Sequence, residues 1–230
     1  MGGTWGDEVV RLREERVETE HLISRYPVLY HMAENGSLES IRRLGLLSTS
    51  ALLDVFEVRG ERRFEIESRR RPESVEIRHP EHGRALVRDN KPMQEKALGR
   101  CLIGMEPTEW YETLNRRVFF WVDRRRLIRL LGARAYRDRP HLVLELDTEQ
   151  LMRRHWWRVS LSGINSGATF SMNPASRGPG TFRRIADHPQ NDPVVELTVD
   201  YAVLDTAELV FAVSRWRGAA RLETIWERSA

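Results

Sequence analysis

The stretch YPVLYHMAENGSLESIRRLGLLS, residues 26–48, decides how the rest of the chain is read. Residues 28–32 are a short apolar run with β-branched and aromatic side chains, stopped by Asn35-Gly36, which reads as a strand entering a turn. Ser37 then stands where an N-cap belongs, and Leu38, Ile41 and Leu44 repeat at helical spacing. Gly45 follows at the position where a helix end turns to positive φ, with Leu46 set for the accompanying apolar contact. Ser48-Thr49-Ser50 caps a second helix over 51–56. Strand, turn and two compact helices within thirty residues place the chain among folds that mix the two element types.

Upstream, the glutamate-rich segment 7–25 carries Val9, Val10, Leu12, Val17, Leu22 and Ile23 and predicts an amphipathic helix ended by Pro27. Downstream, residues 60–71 are dense in charge and read as exposed surface. Residues 75–87 alternate around the turn His79-Pro80-Glu81-His82-Gly83, which predicts a hairpin. Pro92 and Pro107 both occupy first-turn positions of helices, the second helix carrying Trp110, Tyr111 and Leu114. Arg117 to Val122 is strongly strand-forming, and Asp123 caps a helix running through Leu131 to Gly132. Further strands are expected at 142–146, 158–161, 194–199, 209–213 and 222–226. Between them, 162–180 is a long irregular stretch rich in Gly, Ser, Asn and Pro, of the kind that is usually functional or mobile. The class is α+β, with helices concentrated in the N-terminal half. One domain spans 1–230: an N-terminal helix 1–25, a core 26–215, and a C-terminal strand or tail 216–230.

Composition supports a folded unit. The 230 residues are 40% hydrophobic and 31% charged, outside the range of disordered chains. The net charge is +3, yet Lys91 and Lys96 are the only lysines, so the cationic surface is almost all arginine. Two readings of that bias stay open: charge spread over solvated faces, and guanidinium groups that grip phosphates. Clusters at 69–71 and 124–126 are compatible with nucleic-acid contact. Cys101 is alone, which excludes an internal disulfide, and His79 and His82 flank a turn rather than forming a ligand set, so no metal site is expected. No stretch approaches the length of a membrane span, and the opening residues lack an apolar signal core. A cytoplasmic protein with no membrane partner is expected.

The familiar catalytic signatures are absent: no phosphate-binding glycine loop, no Gly-x-Ser-x-Gly, no His-Glu-x-x-His, no kinase set. What remains is an order of elements. Leu29-Tyr30-His31 ends a strand and is followed by Ser37-Leu38-Glu39-Ser40-Ile41 and Gly45-Leu46-Leu47-Ser48. The aromatic strand Val118-Phe119-Phe120-Trp121 comes much later, and later still Glu196 sits in Val194-Val195-Glu196-Leu197-Thr198-Val199 after the polar loop with Pro174-Ala175-Ser176-Arg177-Gly178. This order resembles the ADP-ribosyltransferase superfamily of the diphtheria-toxin and poly-ADP-ribose-polymerase type, and most of all the DarT-type enzymes that modify DNA. His31 is followed by Met32 where the polymerases have Gly, and no tyrosine stands in the aromatic strand.

The resemblance implies a split β-sheet core, NAD as co-substrate and transfer of ADP-ribose to a macromolecule, with DNA and protein side chains both open as acceptors. It further implies a toxin-like effector, with a neutralising antitoxin protein as a partner to look for. Glu196 becomes the catalytic carboxylate, supplying negative charge beside a ribose that develops oxocarbenium character. His31 and Ser48 become cofactor-binding residues, His31 through a ribose hydroxyl, and Phe119 or Phe120 stacks on nicotinamide. Arg177 or Arg88 pairs with the pyrophosphate. A reading from another class stays beside this one: a non-catalytic nucleic-acid-binding module whose arginines hold phosphates and whose tryptophans stack on bases.

Overall fold

A computed structural model of the chain describes residues 19–169 and 172–229. Residues 19–25 are helical (α1); the rest of the N-terminal helix expected from the sequence lies outside the described residues. The fold is α+β, built on a seven-stranded sheet whose neighbouring strands all run antiparallel. In spatial order it contains β11 (Ala220–Glu227), β10 (Val210–Arg217), β6 (Pro140–Asp147), β1 (Val28–Glu34), β5 (Arg117–Trp121), β8 (Glu196–Asp200) and β7 (Val159–Ser162).

The alternation of each strand sends apolar side chains to both faces. Leu29, Phe120, Leu144, Leu146 and Leu197 face one side and form the larger core with Leu22 of α1 and with Leu151 and Met152 of α8 (Thr148–His155). Met32, Val143 and Trp216 face the other, covered by Leu127 and Leu131 of α7 (Arg124–Leu131).

The sheet is forked. β1 pairs with β6 over all seven of its residues but meets β5 at a single Cα pair, Tyr30 and Trp121. Beyond that pair β1 stays with β6 and β5 stays with β8, so the two strands part and leave a gap between their ends.

Two side clusters wall the gap. On one side α3 (Thr49–Val55) and α4 (Gly60–Glu67) pack on the hairpin of β3 (Val75–His79) and β4 (Gly83–Val87) through Leu53, Phe56, Ile66, Ile77 and Val87. On the other, α5 (Glu95–Cys101) and α6 (Pro107–Asn115) enclose Met93, Leu98, Trp110, Tyr111 and Leu114.

Local signals held where they were self-contained. Ser48 caps α3 by accepting from the Ala51 amide, and Asp123 caps α7 by accepting from the Arg125 amide. Gly45, after α2 (Leu38–Leu44), has φ +79°, and a Cβ there would lie 2.5 Å from the Val203 carbonyl oxygen. That close approach arises because β2 (Leu46–Leu47) pairs with β9 (Ala202–Val203). Pro107 opens α6 as its spacing predicted.

Other expectations are corrected. Ser37 makes no side-chain cap. Pro92 opens no helix, since α5 starts at Glu95. Residues 60–71 are not simply exposed: α4 lies there, and Ile66, Glu67, Ser68 and Arg71 are buried. Arg71 donates to the carbonyls of Arg88 and Ile66 and to Asn115, which removes it from any nucleic-acid surface. α8 went unread, and β10 runs through the domain boundary drawn at residue 215. The C-terminal segment is strand β11, hairpin-paired with β10.

Candidate active site

The fork between β1 and β5 opens into a cavity of about 490 Å³, within the size range of small-molecule sites. His31, Ser48, Arg88, Phe119, Phe120 and Glu196 all line it, although 165 positions separate the first from the last. Arg177 does not line it.

Glu196 is the first residue of β8, opposite Trp121 on one neighbour and Ser162 on the other. It is 4% exposed. Both carboxylate oxygens face the backbone amide of Ser166, at 3.3 and 3.2 Å. Burial pushes the carboxyl up to about 7, against the Ser166 hydrogen bonds and the positive charges of Arg177 and Arg126, which hold it down. A carboxyl shifted in this way and lining a cavity is a candidate functional group.

His31 stands on β1 just past the fork. Its Nδ1 lies 2.9 Å from the carbonyl oxygen of Phe119, and its ring tilts against Phe120 at 5.7 Å. A carbonyl only accepts, so Nδ1 carries the proton and Nε2 is left as an acceptor. Burial holds the imidazole down at about 4, helped by the charge of Arg88, so it is neutral at physiological pH. Such a histidine receives a hydrogen bond from a hydroxyl.

The two aromatic candidates part company. Phe120 is 1% exposed and belongs to the core. Phe119 is half-buried, edge-on to Phe182 at 5.9 Å, and keeps ring surface toward the cavity. Ser48 spends one lone pair on the α3 cap, which leaves its hydroxyl hydrogen to donate.

The two arginine candidates part as well. Arg88 lies against β1, with Nη1 3.5 Å from the Met32 carbonyl and the guanidinium stacked over Tyr136 at 4.6 Å. Its Nε is buried without a partner, and no carboxylate pairs with it among the described residues. Its guanidinium therefore brings to the cavity a positive charge with no ion-pair partner among the described residues. Arg177 is buried and spends its donors on the carbonyls of Ser166, Ala168 and Ala175, so it is corrected from a phosphate ligand to a fixture of the 163–180 segment.

That segment is anchored rather than loose where it is described. Thr169 donates its amide to the Pro92 carbonyl and accepts from the Gln94 amide, and Ser166, Thr169 and Arg177 are buried. Its residues Asn165, Ser166, Gly167 and Ala168 wall the cavity beside Glu196. Individual residues there were not foreseen; the unusual length of the loop was the signal. Arg126 was also missed as a site residue, although its cluster stood out in the sequence. It lines this cavity and a second hollow of about 500 Å³, which Arg25, Tyr30, Arg124 and Arg125 also border.

Among the described residues no group of three or more metal-binding side chains occurs, and His79 and His82 stack on each other at 4.7 Å. No helix among them is long and apolar enough to cross a membrane.

A family model described as "Family of unknown function (DUF7002)" matches residues 27–210. No curated protein and no solved structure matches the chain.

Proposed function

From the premise that the chain belongs to the DUF7002 family, we propose that it is an NAD-consuming mono-ADP-ribosyltransferase acting on a macromolecule. One observation carries the reading. A buried carboxylate, a neutral histidine with one free acceptor, a half-buried phenylalanine and an arginine without a carboxylate partner line a single cavity. Dinucleotide chemistry asks for that set. Nicotinamide presents a flat ring for Phe119, ribose hydroxyls donate to His31 Nε2, and the pyrophosphate takes the forked donors of Arg88. As the bond from ribose C1′ to nicotinamide breaks, the electron pair leaves with nicotinamide and positive charge grows on the sugar, where ionised Glu196 stabilises it. The acceptor then bonds to C1′ and loses a proton.

The second hollow favours nucleic acid as the acceptor. Arg25, Arg124, Arg125 and Arg126 surround Tyr30 there, a combination suited to phosphates and a stacked base. The same hollow would serve a binding module without catalysis.

Incubation of the protein with NAD labelled in the adenylate, with single-stranded oligonucleotide or protein acceptors, separates the readings. Nicotinamide release and acceptor labelling, both lost in Glu196→Gln, are expected. Salt-sensitive oligonucleotide binding with no nicotinamide release overturns the enzyme and leaves the binder.

A further inference from the structure

We propose that Arg177 is a positioning residue, whose buried guanidinium clamps the backbone of residues 166–168 so that the Ser166 amide is held on the Glu196 carboxylate. The inference rests on the reading in which Glu196 is the reactive group.

Arg177 is 3% exposed, and its guanidinium donates to three main-chain carbonyls with the Cys101 thiol beside it. Nη1 donates to Ser166 at 3.0 Å and to Ala168 at 3.1 Å, while Nε and Nη2 both donate to Ala175 at 3.2 Å. No carboxylate pairs with it among the described residues. A buried cation is costly unless its hydrogens are satisfied, so the three carbonyls and the guanidinium fix one another.

The clamp is itself anchored. The Arg177 amide donates to the Cys101 carbonyl, and its own carbonyl accepts from the Ile103 amide, both at 2.8 Å. Gly178 continues in extended backbone so close to this strand-like contact that a Cβ would lie 2.2 Å from the Ile103 oxygen. A substituent there would push Arg177 out of place. Thr169 ties the far end of the segment to Pro92 and Gln94. Ser166, three residues before the Thr169 tie and held by Arg177 through its carbonyl, supplies the amide that faces both oxygens of Glu196.

The consequence is electrostatic as well as geometric. The Ser166 hydrogen bond and the charge of Arg177 both favour the ionised carboxylate, against burial. Lysine would keep the charge but, as a compact ammonium without the planar fork, would not span three carbonyls.

The test is an NMR titration of the full chain labelled with ¹³C-glutamate and ¹⁵N, the Glu196 signal being assigned with Glu196→Gln. In the unsubstituted protein the Ser166 amide shift and the Glu196 carboxyl carbon are expected to move with one midpoint. In Arg177→Lys the amide no longer follows the carboxyl, and the Glu196 midpoint rises. A Ser166 amide indifferent to pH, or an Arg177→Lys titration identical to the unsubstituted one, overturns the proposal; the first of these needs no variant to fold.

In nicotinamide release, Arg177→Lys should lower kcat on the order of 100-fold through misplacement of the carboxylate. KM for NAD should stay within about two-fold, because the side chain does not touch the dinucleotide. A large loss of NAD affinity measured by calorimetry returns Arg177 to the pyrophosphate and overturns the proposal. If the unsubstituted protein releases no nicotinamide, the enzymatic reading fails, while the titration still decides the clamp.

Discussion

His31 donates its Nδ1 hydrogen to the carbonyl of Phe119, 2.9 Å away, across the point where β1 and β5 part. The bond does two things: it replaces a missing ladder contact between strands, and it turns the other ring nitrogen into an obligate acceptor. His31→Ala should therefore weaken NAD binding as well as rate. Loss of one uncharged hydrogen bond amounts to about 1 kcal/mol, roughly five-fold in Kd, which calorimetry with NAD would measure. Unchanged affinity would remove His31 from the ligand.

Glu196→Gln preserves the shape of the side chain and removes its charge. Nicotinamide release should fall about 100- to 1,000-fold while NAD still binds, since the charge matters only as the ribose becomes cationic. Full activity in this variant would remove Glu196 from the mechanism.

The proton on Glu196 gives the rate a pH dependence. Because burial lifts its carboxyl to about 7, the ionised form is the minority below that value, and release should climb tenfold per pH unit on the acid side before levelling above about 8. His31, down near 4, is neutral throughout and contributes no second limb in this window. A flat profile between about pH 5.5 and 8 contradicts an ionised Glu196 in the chemistry.

The same two shifts act oppositely on stability. Glu196 has its folded value above the ordinary 4.5, so the folded state holds the extra proton and loses stability as pH rises from about 4.5 to about 7. His31 has its folded value below the ordinary 6.5, so it lowers stability as pH falls from about 6.5 to about 4. Each shift corresponds to about 3 kcal/mol. Glu196→Gln should thus raise Tm at pH 8 and leave it nearly unchanged at pH 4.5, a comparison that thermal unfolding makes directly.

Arg88→Gln should raise the Kd for NAD about 10- to 100-fold, the usual effect of losing hydrogen bonds to a charged group. ADP-ribose, which keeps the pyrophosphate, should lose as much; nicotinamide riboside, which lacks it, should bind Arg88→Gln and the unsubstituted protein alike. Equal losses for both ligands would mean that the substitution had deformed the cavity.

Gly45→Ala tests the fold rather than the chemistry. Positive φ and a Cβ 2.5 Å from the Val203 oxygen leave no room for the methyl, so a destabilisation above about 1 kcal/mol is expected in thermal unfolding.

Much of this was legible where a few adjacent residues decide the outcome. The strand at 117–121 with Asp123 behind it, the hairpin at 75–87, Gly45 and the Ser48 cap are local events, and the sequence displays them. Of the site, His31, Ser48, Arg88, Phe119, Phe120 and Glu196 were named from the family resemblance that the order of elements carries, and they line one cavity. Illegible parts depend on distant partners. Glu67 and Arg71 look like surface charges, yet both are buried and take hydrogen bonds with Ser50 and Asn115 from distant parts of the chain. α8 hid between two strands because its cap, Asp147, is also the last residue of β6. Ser166 contributes a backbone amide, which no side chain announces, and the diversion of Arg177 to carbonyls follows from a loop path that spacing does not encode.

The single Tyr30–Trp121 rung gives the fork a further meaning. His31 and Arg88 belong to the leaf that contains β1, Phe119 and Glu196 to the leaf that contains β5. A molecule seated between them would bridge two halves that the backbone joins at one point, so the ligand itself acts as the missing rungs. The cavity is in that sense a caliper, its two jaws hinged at the Tyr30–Trp121 rung.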